Sequence, residues 1–335
     1  MGSNLIRFLY TRYPSYQIFN FDALTYAGNL DNLKDIESIE TSNPSDERRY
    51  IFLHGDVSDP QSVKGLFDTY KFDAVIHLAA ESHVDRSIFS VADFIRTNIE
   101  GTRLLMDEAR KYHVPRFIHI STDEVYGDVP DGFSTEKSPL NPSNPYAASK
   151  AGADILVQSY IKTHHLPAVI VRPSNNYGPF QYPEKIIPIG ITNLLEKKKI
   201  PIHGKGLHMR SWLYTEDFCS AIDLIFHKAP AGEIYNIAGV HKTNLEILSL
   251  IAKCLNNELR DHLHFVNDRP AADLRYAPDA SKLKRDLGWK PFHNPEEAIP
   301  TLVAWYLKNT DWWHKIKQTR EFIGQYEKQS KGRWG

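Results

Sequence analysis

The sequence predicts an α/β fold built on a doubly wound parallel sheet. Short apolar runs at residues 17–21, 50–53, 74–80, 117–120 and 168–171 alternate with helical stretches, the pattern of repeated strand–helix units. The run 117–120 also leads straight into Ser121, Thr122, Asp123 and Glu124, which places acids and hydroxyls at the exposed carboxyl end of a buried strand. Ligands bind just outside such strand ends in open α/β sheets.

The first expected strand, residues 17–21, runs into Asp22. An acid there accepts hydrogen bonds from an adenosine ribose and repels a 2′-phosphate, which favours NAD over NADP. A polar loop at 40–49 precedes the strand at 50–53, and residues 60–70 form an amphipathic helix. The strand at 74–80 ends in small residues, Ala79 and Ala80, that let a ligand approach the backbone. His77 falls inside this strand as a packed core residue, whereas His83 lies beyond it as a candidate for lining the site. Residues 92–112 read as one long helix.

A second helix opens at Asn144 and Pro145, a start signal followed by Ala147, Ala148, Ala151 and Ala153. Tyr146 and Lys150 are four residues apart on it, so both side chains share one face. A free phenol, with a pKa of about 10, is a poor base at neutral pH. An ammonium one turn away favours the phenolate.

With 335 residues the chain permits one large or two modest domains. Its net charge of -1 gives no hint of a nucleic-acid or membrane-surface partner. No apolar stretch approaches the ~18 residues of a membrane span, and the N-terminus lacks a signal-peptide layout. The two cysteines, Cys219 and Cys254, fall in apolar helix-like contexts and are expected as buried free thiols of a cytoplasmic protein. The 15 histidines are scattered without zinc spacing, so no metal site is expected.

Several segments resemble the extended short-chain dehydrogenase/reductase family, and within it the nucleotide-sugar 4,6-dehydratases. They are residues 22–29 (D-A-L-T-Y-A-G-N), 79–87 (A-A-E-S-H-V-D-R-S), 122–128 (T-D-E-V-Y-G-D), 174–179 (S-N-N-Y-G-P), 182–185 (Y-P-E-K) and 268–270 (D-R-P). Tyr-x-x-x-Lys marks only the superfamily; beside Thr-Asp-Glu it is far more specific. The resemblance covers nearly the whole chain and implies a Rossmann-like domain over 1–172 and a smaller mixed α/β nucleotide-sugar lobe over 173–335, with some elements returning to the first domain.

It also implies roles. NAD would be held by Gly2, Asp22, Leu24, Thr25, Asp56, Val57, Leu78, Ala79, Ala80, Ser82, Thr97 and Asn176, together with Tyr146 and Lys150. The substrate would meet His83, Asn175, Lys185, Ile186, Pro201, His203, Arg210, Asn244, Asp268 and Arg269. Arginine suits such a site because its planar fork matches phosphate oxygens. Thr122, Asp123, Glu124, Tyr146 and Lys150 would carry the chemistry. A homodimer paired through the helices at 92–112 and 146 onward is implied by the same analogy.

The family's Gly-rich turn reads G-G-x-G-x-x-G after a first strand. Here Gly2 matches only its last glycine, and residues 5–9 look like the helix that follows. The first strand and most of the loop are therefore expected to be absent, with Met1 an internal methionine and the natural start roughly a dozen residues upstream. Ser211 stands where the family has Asp, Ala271 and Ala272 where it has Gly-His, and Leu274 where it tends to have Arg. These departures touch nucleotide contacts and leave base and sugar preference open. The implied reaction is dehydration of a nucleotide-linked glucose to its 4-keto-6-deoxy form. A 4-epimerase, which has no work for an Asp-Glu pair, and a non-catalytic nucleotide-sugar-binding protein are the alternatives. The tail from 315 to 335 resembles a C-terminal helix with no functional signal.

Overall fold

The computed structural model describes residues 1–332 and 334. Its strands are, in chain order, β1 (Ile18–Asp22), β2 (Tyr50–His54), β3 (Val75–His77), β4 (Phe117–Ile120), β5 (Ala168–Pro173), β6 (Asn175–Tyr177), β7 (Ile200–His203), β8 (Met209–Tyr214), β9 (Ile234–Ile237), β10 (Val240–Thr243) and β11 (Leu263–Val266). The expected strands all form, within one to a few residues of the boundaries read from the sequence.

β3, β4, β5 and β9 make one all-parallel sheet in the order β3-β4-β5-β9. Val169, Ile170 and Val171 on its central β5 are fully buried, each contributing roughly 1.5–3 kcal/mol relative to an exposed side chain. β1 and β2 pair in parallel as a separate two-stranded sheet. β1 and β3 do not pair with each other. Both border a single cavity of about 1060 Å³, lined by Ile18 through Asp22 on one side and Val75 through Leu78 on the other. The sheet is thus interrupted where the sequence reading finds no strand.

The first helix, Gly2–Arg12, packs Leu5 and Leu9 against Phe218 and Ile222 of the helix Thr215–Lys228. That helix and β9 both come from beyond residue 173, so chain order and spatial domains diverge. The second lobe carries the sheets β10-β8-β6 and β11-β7 over a core of Ile187, Ile191, Trp212, Tyr306 and Trp313.

Three sequence expectations are corrected. The helix at 92–112 is not uniform: Ala92–Phe94 passes through a π-helical segment, Ile95–Glu100, into the α-helix Gly101–Lys111. π-Bulges of this kind are frequent at functional sites. Both cysteines are free, but only Cys219 is buried; Cys254 ends its helix on the exposed side. The Thr-Asp-Glu triplet is buried rather than exposed, because the second lobe closes over the strand end.

Candidate active site

β4 delivers the chain to Thr122, whose Oγ1 accepts from the Glu124 backbone N–H at 3.3 Å and caps a 3₁₀ turn, Asp123–Tyr126. Gly127 ends that turn at φ +72°, and a Cβ there would lie 2.1 Å from the Asn141 carbonyl oxygen. Only glycine fits. Alongside runs the helix Pro145–His164, capped by Asn144 Oδ1 accepting from Ala147 N at 2.9 Å. Lys150 Nζ donates to the Ile120 carbonyl at 2.6 Å, which ties the helix to the end of β4. Asn98, on the π-helical segment, donates to Ser149 Oγ at 2.8 Å and exchanges two 2.9 Å bonds with the Glu81 backbone. It fastens the loop after β3 to the same helix.

The electrostatics split the two acids. Burial, then the Glu124 charge, push Asp123 well above the usual carboxylate range. Burial also raises Glu124, but Lys185, Arg210 and Arg269 pull it back. Close carboxylates titrate apart, so Asp123 keeps its proton while Glu124 is the readier base. Burial brings the Lys150 ammonium down to about 8. Tyr146 moves opposite to the sequence expectation: burial and the Glu124 charge raise its pKa, and only a hydrogen bond with Thr122 lowers it. Lys150, bonded to Ile120 instead, does not relieve it in this state.

Thr122, Asp123, Glu124, Tyr146 and Lys150 all line the cavity that β1 and β3 border. Gly2, Asp22, Leu24, Val57, Leu78, Ala79, Ala80, Ser82 and Asn176 line it too. Asp22 Oδ1 accepts from the Leu24 N–H at 2.8 Å, with Leu24 held at φ +49°, and Oδ2 stays available to a diol. Gly2, Ser3 and Asn4 present the N-terminus of the first helix to the same space, where backbone N–H groups favour anions. This donor set fits a dinucleotide. His83, Asn175, Lys185, Ile186, Pro201, His203, Arg210, Asn244 and Arg269 are also part of its lining. Arg269 pairs with the buried Asp85, and Arg210 stacks 4.3 Å over the Tyr276 ring.

Four expected residues do not line the cavity. Asp56 turns its carboxylate onto Ser58, 2.8 Å from N and 2.7 Å from Oγ. Asp268 accepts from the Arg269 N–H at 2.9 Å and lies 3.0 Å from His208. Thr25 accepts the Gly28 N–H in a turn. Thr97 sits on the π-helical segment beside Asn98, which makes the bonds instead. Sequence reasoning missed Glu184, Asp273, Tyr276 and Gln329, all of which line the cavity. Glu184 lay inside a matched motif; the other three carried no local signal.

A parallel sheet that gathers Tyr-x-x-x-Lys and Thr-Asp-Glu at its strand ends defines a short-chain dehydrogenase/reductase of the extended kind. More narrowly, the chain belongs to the GDP-mannose 4,6 dehydratase family, which it matches over residues 1–302. It is 42% identical to a dTDP-glucose 4,6-dehydratase of Escherichia coli, over 94% of this chain and 93% of the relative. A dTDP-glucose 4,6-dehydratase of Salmonella typhimurium is 44% identical over 95% and 92%. The dTDP-glucose 4,6-dehydratase of Streptomyces venezuelae, crystallised with NAD, superposes with a TM-score of 0.88 at 40% identity, covering 94% and 96%. A Thermus thermophilus UDP-glucose 4-epimerase complex with NAD gives 0.82 at 25% identity, covering 92% and 96%.

Proposed function

We propose that this chain is an NAD-dependent dTDP-glucose 4,6-dehydratase, forming dTDP-4-keto-6-deoxyglucose. The observation that carries the reading is the buried Asp123–Glu124 pair in one cavity with Tyr146 and Lys150. A 4-epimerase oxidises and reduces at C4 alone and has no use for that pair. The closer relatedness to dehydratases, at 42–44% against 25% for the epimerase, supports the same choice.

NAD would be held by Asp22 at the ribose and by the helix N-terminus at Gly2 near the diphosphate, and it supplies the acceptor and later the donor of hydride. Tyr146 takes the proton of the sugar 4-hydroxyl, with Thr122 hydrogen-bonded to the same oxygen. Lys150 stabilises the phenolate once the substrate is in place. The 4-keto group acidifies C5–H, and Glu124 removes that proton. Asp123 gives its proton to the departing 6-hydroxyl, which leaves as water. Lys185, Arg210 and Arg269 face the diphosphate. A homodimer built on the helices that expose Ile95 (50%) and Ile155 (57%) completes the reading, as does a cytoplasmic setting in keeping with the free thiols. No helix among the described residues is long and apolar enough to cross a membrane.

The test is incubation of the purified chain with NAD and dTDP-glucose, followed by the alkaline absorbance of a 4-keto product. Product formation is expected. No product with NAD present in excess, or epimerised sugar instead, overturns the reading.

A further inference from the structure

The C-terminal helix Arg320–Lys331 reaches back to the cavity across the second lobe. Its Gln329 is buried and lines the cavity. Gln329 Nε2 lies 2.9 Å from Asp85 Oδ2 and 3.0 Å from His83 Nε2. The other Asp85 oxygen accepts from Arg269 Nε. Asp85 and His83 are themselves buried, on the turn and short helix after β3. A second tie anchors the helix nearby: Arg86 pairs with Glu321 and with Glu184.

We propose that Gln329 is a positioning residue of the nucleotide-sugar diphosphate site, fixing Asp85, and through it Arg269, together with the hydrogen-bonding face of His83. Burial would raise the Asp85 pKa, but the Arg269 guanidinium beside it holds it below the ordinary carboxylate range. An ionised carboxylate only accepts hydrogen bonds, so Gln329 turns its NH₂ toward Asp85. The second N–H of that amide then meets His83 Nε2. Burial keeps His83 neutral, and a neutral imidazole with Nε2 accepting carries its proton on Nδ1. His83 Nδ1 is buried with no protein partner among the described residues. It is left as a donor, in company with Lys185 and Arg269, for an anionic oxygen. The C-terminal helix therefore sets both the fork of Arg269 and the donor of His83.

This inference rests on the dehydratase reading, and the test separates the two. Gln329→Met keeps the volume and removes the amide. Losing a hydrogen bond to a charged group should raise KM for dTDP-glucose and weaken dTDP binding by about ten- to a hundredfold, with kcat and NAD content near wild type. In ¹⁵N-histidine spectra, with His83 assigned from His83→Gln, the wild type should show Nδ1–H, and Gln329→Met should lose that preference. Unchanged KM and dTDP affinity overturn the proposal, whether or not the tautomer moves. If the wild type neither turns over dTDP-glucose nor binds dTDP, the dehydratase reading falls, and the His83 tautomer in Gln329→Met decides the inference. Should Gln329→Met not fold, Gln329→Asn, which withdraws the amide by one methylene, gives the same readouts.

Discussion

The Tyr276 hydroxyl donates to Asp273 Oδ2 at 2.6 Å and lies 3.3 Å from Glu124 Oε2. Asp273 is held in turn by Ser143 Oγ, which donates to its other oxygen at 2.6 Å. The phenol has one proton, which it gives to Asp273 here and can turn to the Glu124 carboxylate proposed to abstract the C5 proton. Tyr276→Phe keeps the ring under Arg210 and deletes only the hydroxyl. It is expected to lower kcat by about ten- to a hundredfold, the loss of one hydrogen bond to a charged group, with NAD content unchanged. Steady-state turnover of dTDP-glucose checks this.

Asp123 and Glu124 should fail at different places. Glu124→Gln removes the base for C5 but leaves Tyr146 and Lys150 to oxidise C4. It is expected to build up NADH absorbance on mixing with dTDP-glucose and to lose solvent deuterium incorporation at C5. Asp123→Asn keeps that exchange while slowing water loss by about a hundredfold or more, the usual scale for general acid catalysis. Rapid-mixing absorbance combined with deuterium incorporation by mass spectrometry distinguishes the two. Identical behaviour of the variants contradicts the assigned roles.

Much of this site is visible in the linear sequence, for a physical reason. Tyr146 and Lys150 share one helix face through periodicity, and Thr122, Asp123 and Glu124 follow one another at the end of one apolar strand; both are local relationships. Asp22 is legible in the same way. What escapes the sequence depends on contacts between distant segments. The second lobe buries Asp123 and Glu124, and that burial drives their titrations apart. Lys150 turns to the Ile120 carbonyl rather than to Tyr146 because the helix packs against that strand end. Gln329 meets Asp85 across 244 positions of sequence, which no periodicity reports. Thr97 and Asn98 are adjacent on a helix, and the π-helical winding that selects Asn98 leaves no compositional trace.

Buried histidines give the fold a predictable acid limit. Burial lowers His77 to about 3 and also depresses His83 and His119. A depressed folded pKa means that the unfolded chain binds more protons, so stability is present above the unfolded value of about 6.5 and is lost as pH falls toward 3. Asp123 and Glu124, raised in the folded state, oppose this trend over part of the same range. Comparison of variants isolates the histidine contribution. His77→Gln, which can keep a bond to Thr102 Oγ1 (now 2.9 Å from His77 Nε2), is expected to flatten the fall in Tm between pH 6.5 and 4. A parallel fall in both proteins would contradict the assignment.

Arg172 and Asp154 form a bidentate pair behind the site, at 2.8 Å for each of Nε–Oδ2 and Nη2–Oδ1, and both are buried. Arg172 also donates to the Tyr126 hydroxyl at 2.8 Å, and Tyr126 donates to Asn236 Oδ1 at 2.8 Å. The pair thus joins β5, β9, the Tyr146–Lys150 helix and the turn that bears Asp123 and Glu124. Removing one partner leaves an uncompensated buried charge, which costs about 3–5 kcal/mol. Replacing both with apolar groups of similar volume is often nearly neutral for stability. Asp154→Leu alone is therefore expected to unfold at a much lower denaturant concentration than wild type. Asp154→Leu combined with Arg172→Met should recover most of that loss. Turnover should not recover with it, because the Tyr126 hydroxyl has lost the donor that holds it beneath Asp123 and Glu124. A double variant as unstable as the single one, or one restored to full activity, would contradict this division between stability and positioning.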